Sequence, residues 1–157
     1  VVEVGVAEGY SALMLAHELK SLGKNFTLFM VDNCDYGGTN QMQDILNHVY
    51  KSGLLDHIVF IPKGSLDASC RFKDNGLDFV FIDASHEYEP TKADIRLWYR
   101  KVKIGGMLAG HDYWSDENPG VAQAADEVIP KEVLNVEKTD KGLGVFWVTK
   151  DENVKMN

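Results

Sequence analysis

Five short, almost uninterrupted apolar runs constrain this chain more than any other feature: residues 1–6, 26–31, 58–61, 77–82 and 107–110. In the fourth, Leu77-Asp78-Phe79-Val80-Phe81-Ile82, only Asp78 is polar. Strands of a half-solvated sheet alternate apolar and polar residues, whereas strands buried on both faces read as continuous apolar runs. Between the runs lie segments with helical spacing. Residues 11–22 place Ala12, Leu15, Ala16, Leu19 and Leu22 on one stripe, with Ser11 as a cap and Gly23 as a stop. Residues 41–52 do the same with Met42, Ile45, Leu46 and Val49, ending at Gly53. Pro90 suits the first turn of a helix running to 102, and residues 121–129 form another, ended by Pro130. Gly105-Gly106 reads as a turn, and residues 133–136 and 145–149 as a closing strand pair around Asp140-Lys141-Gly142. Strands alternating with helices predict a single α/β domain over 1–157: a doubly wound, mostly parallel sheet with helices on both faces.

The acid-base balance narrows the partners. Lys and Arg number 16 against 24 Asp and Glu, a net charge of −8 with no basic stretch, so a phosphate backbone is not the expected ligand. No apolar run reaches the length of a membrane span. Cys34 and Cys70 lie far apart and in no metal-ligand spacing, which points to a reducing, cytoplasmic setting. Residue 1 is not Met and already reads as strand, so the natural protein is expected to begin earlier.

The first strand-turn-helix, Glu3-Val4-Gly5-Val6-Ala7-Glu8-Gly9-Tyr10-Ser11, carries the strongest chemical signal. Gly5 permits a sharp turn and Gly9 lets a ligand approach the backbone where the helix presents unpaired N–H groups. The spacing does not fit the dinucleotide fingerprint, since Ala7 and Tyr10 stand where its second and third glycines would be. Asp32 ends the second run about 20 residues beyond the glycines, where a carboxylate can accept both hydroxyls of an adenosine ribose. A mere tight turn and a mere turn-forming acid are the plainer readings of the same residues.

These features resemble the class I S-adenosylmethionine-dependent methyltransferases. The order E-x-G-x-x-x-G-x-S over 3–11 is similar to their first motif, and Asp32 matches their ribose-binding acid. More specific are Phe81-Ile82-Asp83-Ala84-Ser85-His86-Glu87-Tyr88-Glu89 and the run from Asp94 through Trp98 to Gly105-Gly106 and Gly110-His111-Asp112-Tyr113. They resemble the small-molecule O-methyltransferase subgroup. The resemblance implies a Rossmann-like seven-stranded sheet with a reversed last strand and S-adenosyl-L-methionine as cofactor. It implies that Glu3, Gly5, Ala7, Gly9 and Ser11 surround the methionine part. Asp32 would hold the ribose and Asn33 would lie beside the adenosine, with Gly64 and Ser65 at the adenine edge and Asp83 and Ala84 near the amino end and the transferring methyl.

Three residues are candidates for the chemistry: His86, His111 and Asp112. If the fourth and fifth strands are neighbours, Asp83, His111 and Asp112 share one edge and could hold a divalent metal such as Mg or Mn. Against this, adjacent strand residues point to opposite faces, so His111 and Asp112 converge only if the chain leaves the sheet there. His86 is the alternative, a general base for a hydroxyl proton, or simply a loop-shaping residue. His17, His48 and His57 read as surface or core residues. Tyr36, Tyr88, Tyr113 and Trp114 fall in loops at the same edge and either line a substrate pocket or cover the core. The expected function is methyl transfer to a hydroxyl of a small molecule such as a sugar, with a homodimer as candidate assembly. An NAD-dependent oxidoreductase and a non-catalytic module binding an adenosyl cofactor are the alternatives.

Overall fold

The computed structural model describes residues 1–35, 40–138 and 143–157. Tyr36, the Gly37-Gly38 loop and the Asp140-Lys141-Gly142 turn lie outside them. The chain runs β1 (Val2–Val4), α1 (Tyr10–Ser21), β2 (Leu28–Asp32), α2 (Gln41–Ser52), β3 (Ile58–Pro62), α3 (Ser65–Ser69), β4 (Leu77–Ile82), α4 (Tyr88–Lys101), β5 (Val102–Gly110), α5 (Pro119–Val128), β6 (Asn135–Lys138) and β7 (Gly144–Thr149). The strands form one seven-stranded sheet in the order β3-β2-β1-β4-β5-β7-β6. All pairs are parallel except those of β7, which runs against both β5 and β6. This is the expected doubly wound sheet with one reversed strand. The strand order reverses direction between β1 and β4, and that switch point opens a crevice at the carboxyl ends of the strands.

Two apolar layers flank the sheet because its strands are apolar on both faces. On one side Val2, Val4, Val80, Ile82 and Leu108 pack with Ile95, Trp98, Ala124 and Val128. On the other Leu28 and Met30 pack with Ala12, Ala16, Ile45 and Val49. Trp98 is fully buried. Its removal would leave the largest hole in the first layer.

Several local expectations need correction. Leu22, Met42 and Leu46 are 60%, 44% and 44% exposed rather than inward, so the buried faces of α1 and α2 are narrower than their apolar stripes. Ser11 does not cap α1; the N-cap is Gly9, and the Ser11 hydroxyl serves another partner. Gly105-Gly106 does not end a helix-strand connection but lies inside β5. There Leu77 pairs with Val102 while Phe79 already pairs with Met107, so the strand bulges. Gly105 takes φ 77° at that bulge, its N–H donates to Lys150 O, and Gly106 O accepts from Lys150 N. The backbone groups freed by the bulge are thus satisfied from across the sheet. Helix α3, only five residues long, is too short to leave a helical period in the sequence.

Among the described glycines, Gly5 makes the closest approach to another stretch of backbone. Its φ is 80°, and a Cβ there would lie 2.3 Å from Asp83 O. The turn after β1 and the end of β4 therefore touch backbone to backbone. Gly5→Ala is expected to cost about 2–4 kcal/mol of unfolding free energy, combining a left-handed alanine with displacement of the Asp83 backbone. Gly64→Ala, where an added Cβ meets nothing within 4 Å, is expected to stay within about 0.5 kcal/mol. Urea unfolding of the two variants measures the difference.

Candidate active site

The turn between β1 and α1 is wound by three left-handed residues, Gly5, Ala7 and Gly9, with φ of 80°, 46° and 87°. Ala7 adopts this conformation at a cost glycine would not incur, and Asp32 holds it there. Asp32 Oδ2 accepts from Val6 N at 2.9 Å and Ala7 N at 3.0 Å. Its Oδ1 accepts from Cys34 N at 2.7 Å and Gln41 Nε2 at 3.0 Å. Gln41 Nε2 also donates to Ala7 O at 3.1 Å. An ionised carboxylate offers about four acceptor directions, and all of them face protein donors here. A ribose hydroxyl that reaches Asp32 does so as an additional or exchanging donor.

Glu3 lies in the middle of β1, in register with Met30 on one side and Phe81 on the other. It is 1% exposed, and Ser11 Oγ donates to its Oε1 at 2.5 Å. Burial pushes its carboxyl from the ordinary 4.5 up to about 7; the Ser11 hydrogen bond opposes the shift and the nearby Asp83 charge adds to it.

The ends of β4 and β5 bring four polar side chains together. The strand ends at Gly110, and Asp112 takes φ 61°. The chain leaves the sheet at that point, so His111 and Asp112 turn to the same place despite being adjacent. His111 Nδ1 lies 3.0 Å from Asp112 Oδ1 and 3.8 Å from Asp83 Oδ1. His86 Nε2 lies 3.2 Å from Asp112 Oδ2 and 3.6 Å from Asp83 Oδ1. Asn118 Nδ2 donates to Asp112 Oδ2 at 3.3 Å. Burial raises the Asp83 carboxyl, with His111 pulling against it and Asp112 adding to it. Asp83, His86 and Asp112 each offer an atom within 4.8 Å of the others, close enough to share one ion. His86 thus stands in the ligand position that the sequence assigns to His111, which sits beside the group. His86 Nε2 is shut from solvent yet makes no hydrogen bond. An orphaned imidazole nitrogen facing two carboxylates fits an oxygen- and nitrogen-binding divalent cation.

A cavity of about 680 Å³ runs along the carboxyl edge of the sheet. Gly5, Ala7, Ser11, Asp32, Asn33, Gly64, Ser65, Asp83, Ala84 and His86 line it. Glu3 stands behind Ser11, and His111 and Asp112 stand behind Asp83 and His86. Gly9 acts only through the turn. Asp35, Lys63, Pro90, Ala93 and Asp94 also line it and were missed. For Asp94 a signal existed: it shares a buried helical stripe with Thr91, Ile95 and Trp98, where an acid is out of place. Of the loop aromatics, Tyr36 lies outside the described residues, and Tyr88, Tyr113 and Trp114 are not among the lining residues. Tyr113 is core, donating from its hydroxyl to Asp126 Oδ1 at 2.7 Å and meeting Trp114 edge-on. Tyr88 joins Lys92 and Glu127 on the surface. His48 meets Tyr10 at a tilt and His57 stacks on Phe26, away from the cavity. No helix among the described residues is long and apolar enough to cross a membrane, and Cys34 and Cys70 are both free.

Comparison with known proteins identifies the family and the fold. Residues 2–113 match the family model of a methyltransferase domain. An uncharacterized protein of Acanthamoeba polyphaga mimivirus is 28% identical over 125 residues, which cover 77% of this chain and 47% of that protein. The chain therefore spans about half the length of this curated relative. Among solved structures, the O-methyltransferase NovP superposes with a TM-score of 0.73 at 20% identity, covering 96% of this chain and 72% of that one. An O-methyltransferase from Bacillus cereus in complex with SAH gives 0.72 at 16% identity, covering 95% and 73%. At such identities the likeness establishes the fold.

The buried Glu3 carboxyl makes stability depend on pH. Its folded-state pKa lies above its unfolded one, so between about pH 4.5 and 7 the native state holds a proton that the unfolded state has lost. Stability falls as pH rises through that window, by on the order of 3 kcal/mol from this group alone. Glu3→Gln keeps the Ser11 partnership without the charge. It is expected to remove this slope and to be the more stable protein at pH 8 but not at pH 4. Urea unfolding across that range checks it.

Proposed function

The chain belongs to the class I methyltransferase domain family, and from that premise we propose that it moves the methyl group of S-adenosylmethionine to a hydroxyl of a small molecule. A sugar or similar polyol is the favoured acceptor. The convergence of Asp83, His86, His111 and Asp112 beside the turn at Gly5 carries this reading. The adenosyl cofactor would lie along the edge from Gly64 and Ser65, past Asp32 and Asn33, to Ser11 and Ala84. Its methyl would then point toward Asp83 and His86.

When bound, S-adenosylmethionine would supply an electrophilic methyl group to the acceptor oxygen, the carbon–sulfur electron pair staying with the S-adenosylhomocysteine that leaves. A sugar hydroxyl is a weak nucleophile until it loses its proton, so the site must receive that proton. His86, at the cavity wall, is placed to accept it, and the Asp83 and Asp112 carboxylates stabilise the imidazolium that forms. His111, hydrogen-bonding range from Asp112, holds that carboxylate in place. Asp83, His86 and Asp112 are also the residues that would hold a divalent metal, Mg or Mn. When bound, such an ion lowers the pKa of a hydroxyl and orients it. The net charge of −8 disfavours a nucleic-acid substrate.

Calorimetry should show binding of S-adenosylhomocysteine and none of NAD. A methyl-transfer assay over a library of hydroxyl compounds should find an acceptor. His86→Ala and Asp112→Ala are each expected to lower turnover about a hundredfold or more, with cofactor affinity retained. Loss of turnover on EDTA treatment would identify the metal route, and insensitivity to EDTA the histidine base acting alone. Methyl transfer found only on nitrogen or RNA would overturn the proposal. NAD binding would favour an oxidoreductase, and cofactor binding with no transfer to any acceptor a non-catalytic module.

A further inference from the structure

Asn118 stands at the N-cap of α5, where an asparagine side chain ordinarily accepts from the first free N–H groups of the helix. Here its side chain forms no capping bond. Its Nδ2 instead donates to Asp112 Oδ2 at 3.3 Å. A carboxylate only accepts, so the amide must present its nitrogen. The helix start is secured by other means. Pro119 occupies the first turn and brings no N–H to satisfy. Asn118 N donates to Ser115 O and Ser115 Oγ, both at 3.2 Å, and Ser115 N donates to Asp112 O at 3.1 Å. The Asn118 side chain thus serves Asp112 and not its own helix.

Asp112 needs such a partner. It is 6% exposed and sits at φ 61°, past the end of the strand and outside the ladder of bonds that fixes β5. His111 Nδ1 faces its Oδ1 at 3.0 Å. His86 Nε2 lies 3.2 Å from its Oδ2 but makes no hydrogen bond. Among the described residues, Asn118 therefore supplies the hydrogen bond to Oδ2, the oxygen nearest His86. A neutral amide orients the carboxylate without cancelling its charge, as a lysine or arginine would. The same turn of α5 supports the other half of the pair. A Cβ on Gly120 would lie 2.7 Å from His86 O and 2.6 Å from Tyr88 N, so α5 meets the loop carrying His86 backbone to backbone.

We propose that Asn118 is a positioning residue for the methyl transfer: its amide holds Asp112 Oδ2 toward His86, and the first turn of α5 thereby sets the spacing of that pair. This rests on the reading of the polar cluster given above. Asn118 does not line the cavity, so cofactor affinity does not depend on it.

Three substitutions separate this role from capping. Asn118→Asp keeps a capping acceptor, since aspartate caps as well as asparagine, but sets a second carboxylate against Asp112 in place of the donor. Asn118→Gln keeps the donor on a longer stem and is the poorer cap. Asn118→Ala removes the donor without adding a charge. Each is assayed for turnover on the acceptor found in the hydroxyl library, for S-adenosylhomocysteine affinity by calorimetry, and for thermal unfolding. Asn118→Asp and Asn118→Ala are each expected to lower kcat at least about tenfold with cofactor affinity unchanged, while Asn118→Gln keeps most of the turnover. In an Asp112→Ala background, Asn118→Ala is expected to change turnover less than about twofold, because a residue acting through Asp112 then has nothing to hold. An unchanged kcat in Asn118→Ala, or the same fold loss with and without Asp112, overturns the assignment and leaves the site standing. So does turnover kept in Asn118→Asp and lost in Asn118→Gln, the pattern of a helix cap. If the unaltered protein methylates no acceptor, or Asp112→Ala leaves turnover intact, the reading of the cluster fails and this inference with it.

Discussion

The carboxylate of Asp32 organises the working edge of this sheet. It gathers two backbone N–H groups from the turn after β1, one from the loop after β2, and the Gln41 amide from the start of α2. The turn after β1, the loop after β2 and the start of α2 are thus held by one buried carboxylate whose acceptor directions are all used. Leaving such donors unpaired costs about 1–3 kcal/mol each, which explains how Ala7 is kept in a conformation that alanine resists. The turn in turn fixes Gly5 against the Asp83 backbone. The position of Asp83, and with it the polar cluster, depends on a hydrogen-bond hub two strands away.

The cavity along that edge is unusually rich in acids. Asp32, Asp35, Asp83 and Asp94 line it, with Glu3 and Asp112 just behind, and among the described residues Lys63 is its one lysine or arginine. Carboxylates concentrated in a partly buried space attract positive charge. Such a surrounding suits a sulfonium, an ammonium or a divalent cation, and repels anionic acceptors. Each acid is managed differently. Asp32 is saturated by donors, Glu3 is held by Ser11, Asp83 and Asp112 face two imidazoles, and Asp94 is steadied by a serine.

The sheet could be read from residue order because its determinants are local. The run 77–82 is apolar throughout but for one residue, and the observed β4 has the same bounds. Helix α2 also matches, because Gly53 takes the left-handed conformation that ends it. The departures from local pattern share a cause: residues whose spacing suits a nearby task have partners farther along the chain. Ser11 looked like a cap but reaches back to Glu3. Gly105-Gly106 looked like a turn but forms a bulge whose partner is Lys150. Met42 and Leu46 fell on the apolar stripe of α2, yet the sheet covers only the Ile45 and Val49 side of it.

The candidate residues Asp83, His86, His111 and Asp112 were identifiable by type and by their places at strand ends, since periodicity marks where strands stop. Sequence order alone determined the α/β class, the glycine turn and the acids at the edge. Only the tertiary structure decided how those groups meet. It showed that Asp112 turns left-handed out of the sheet, that His86 faces both carboxylates, and that Asp32 is spent on the backbone. It also turned an acid in mid-helix toward the cavity beside Ser65. The physical reason is range: strand and helix periodicity are set within a few residues, whereas convergence depends on the register of strands and helices far apart in the chain.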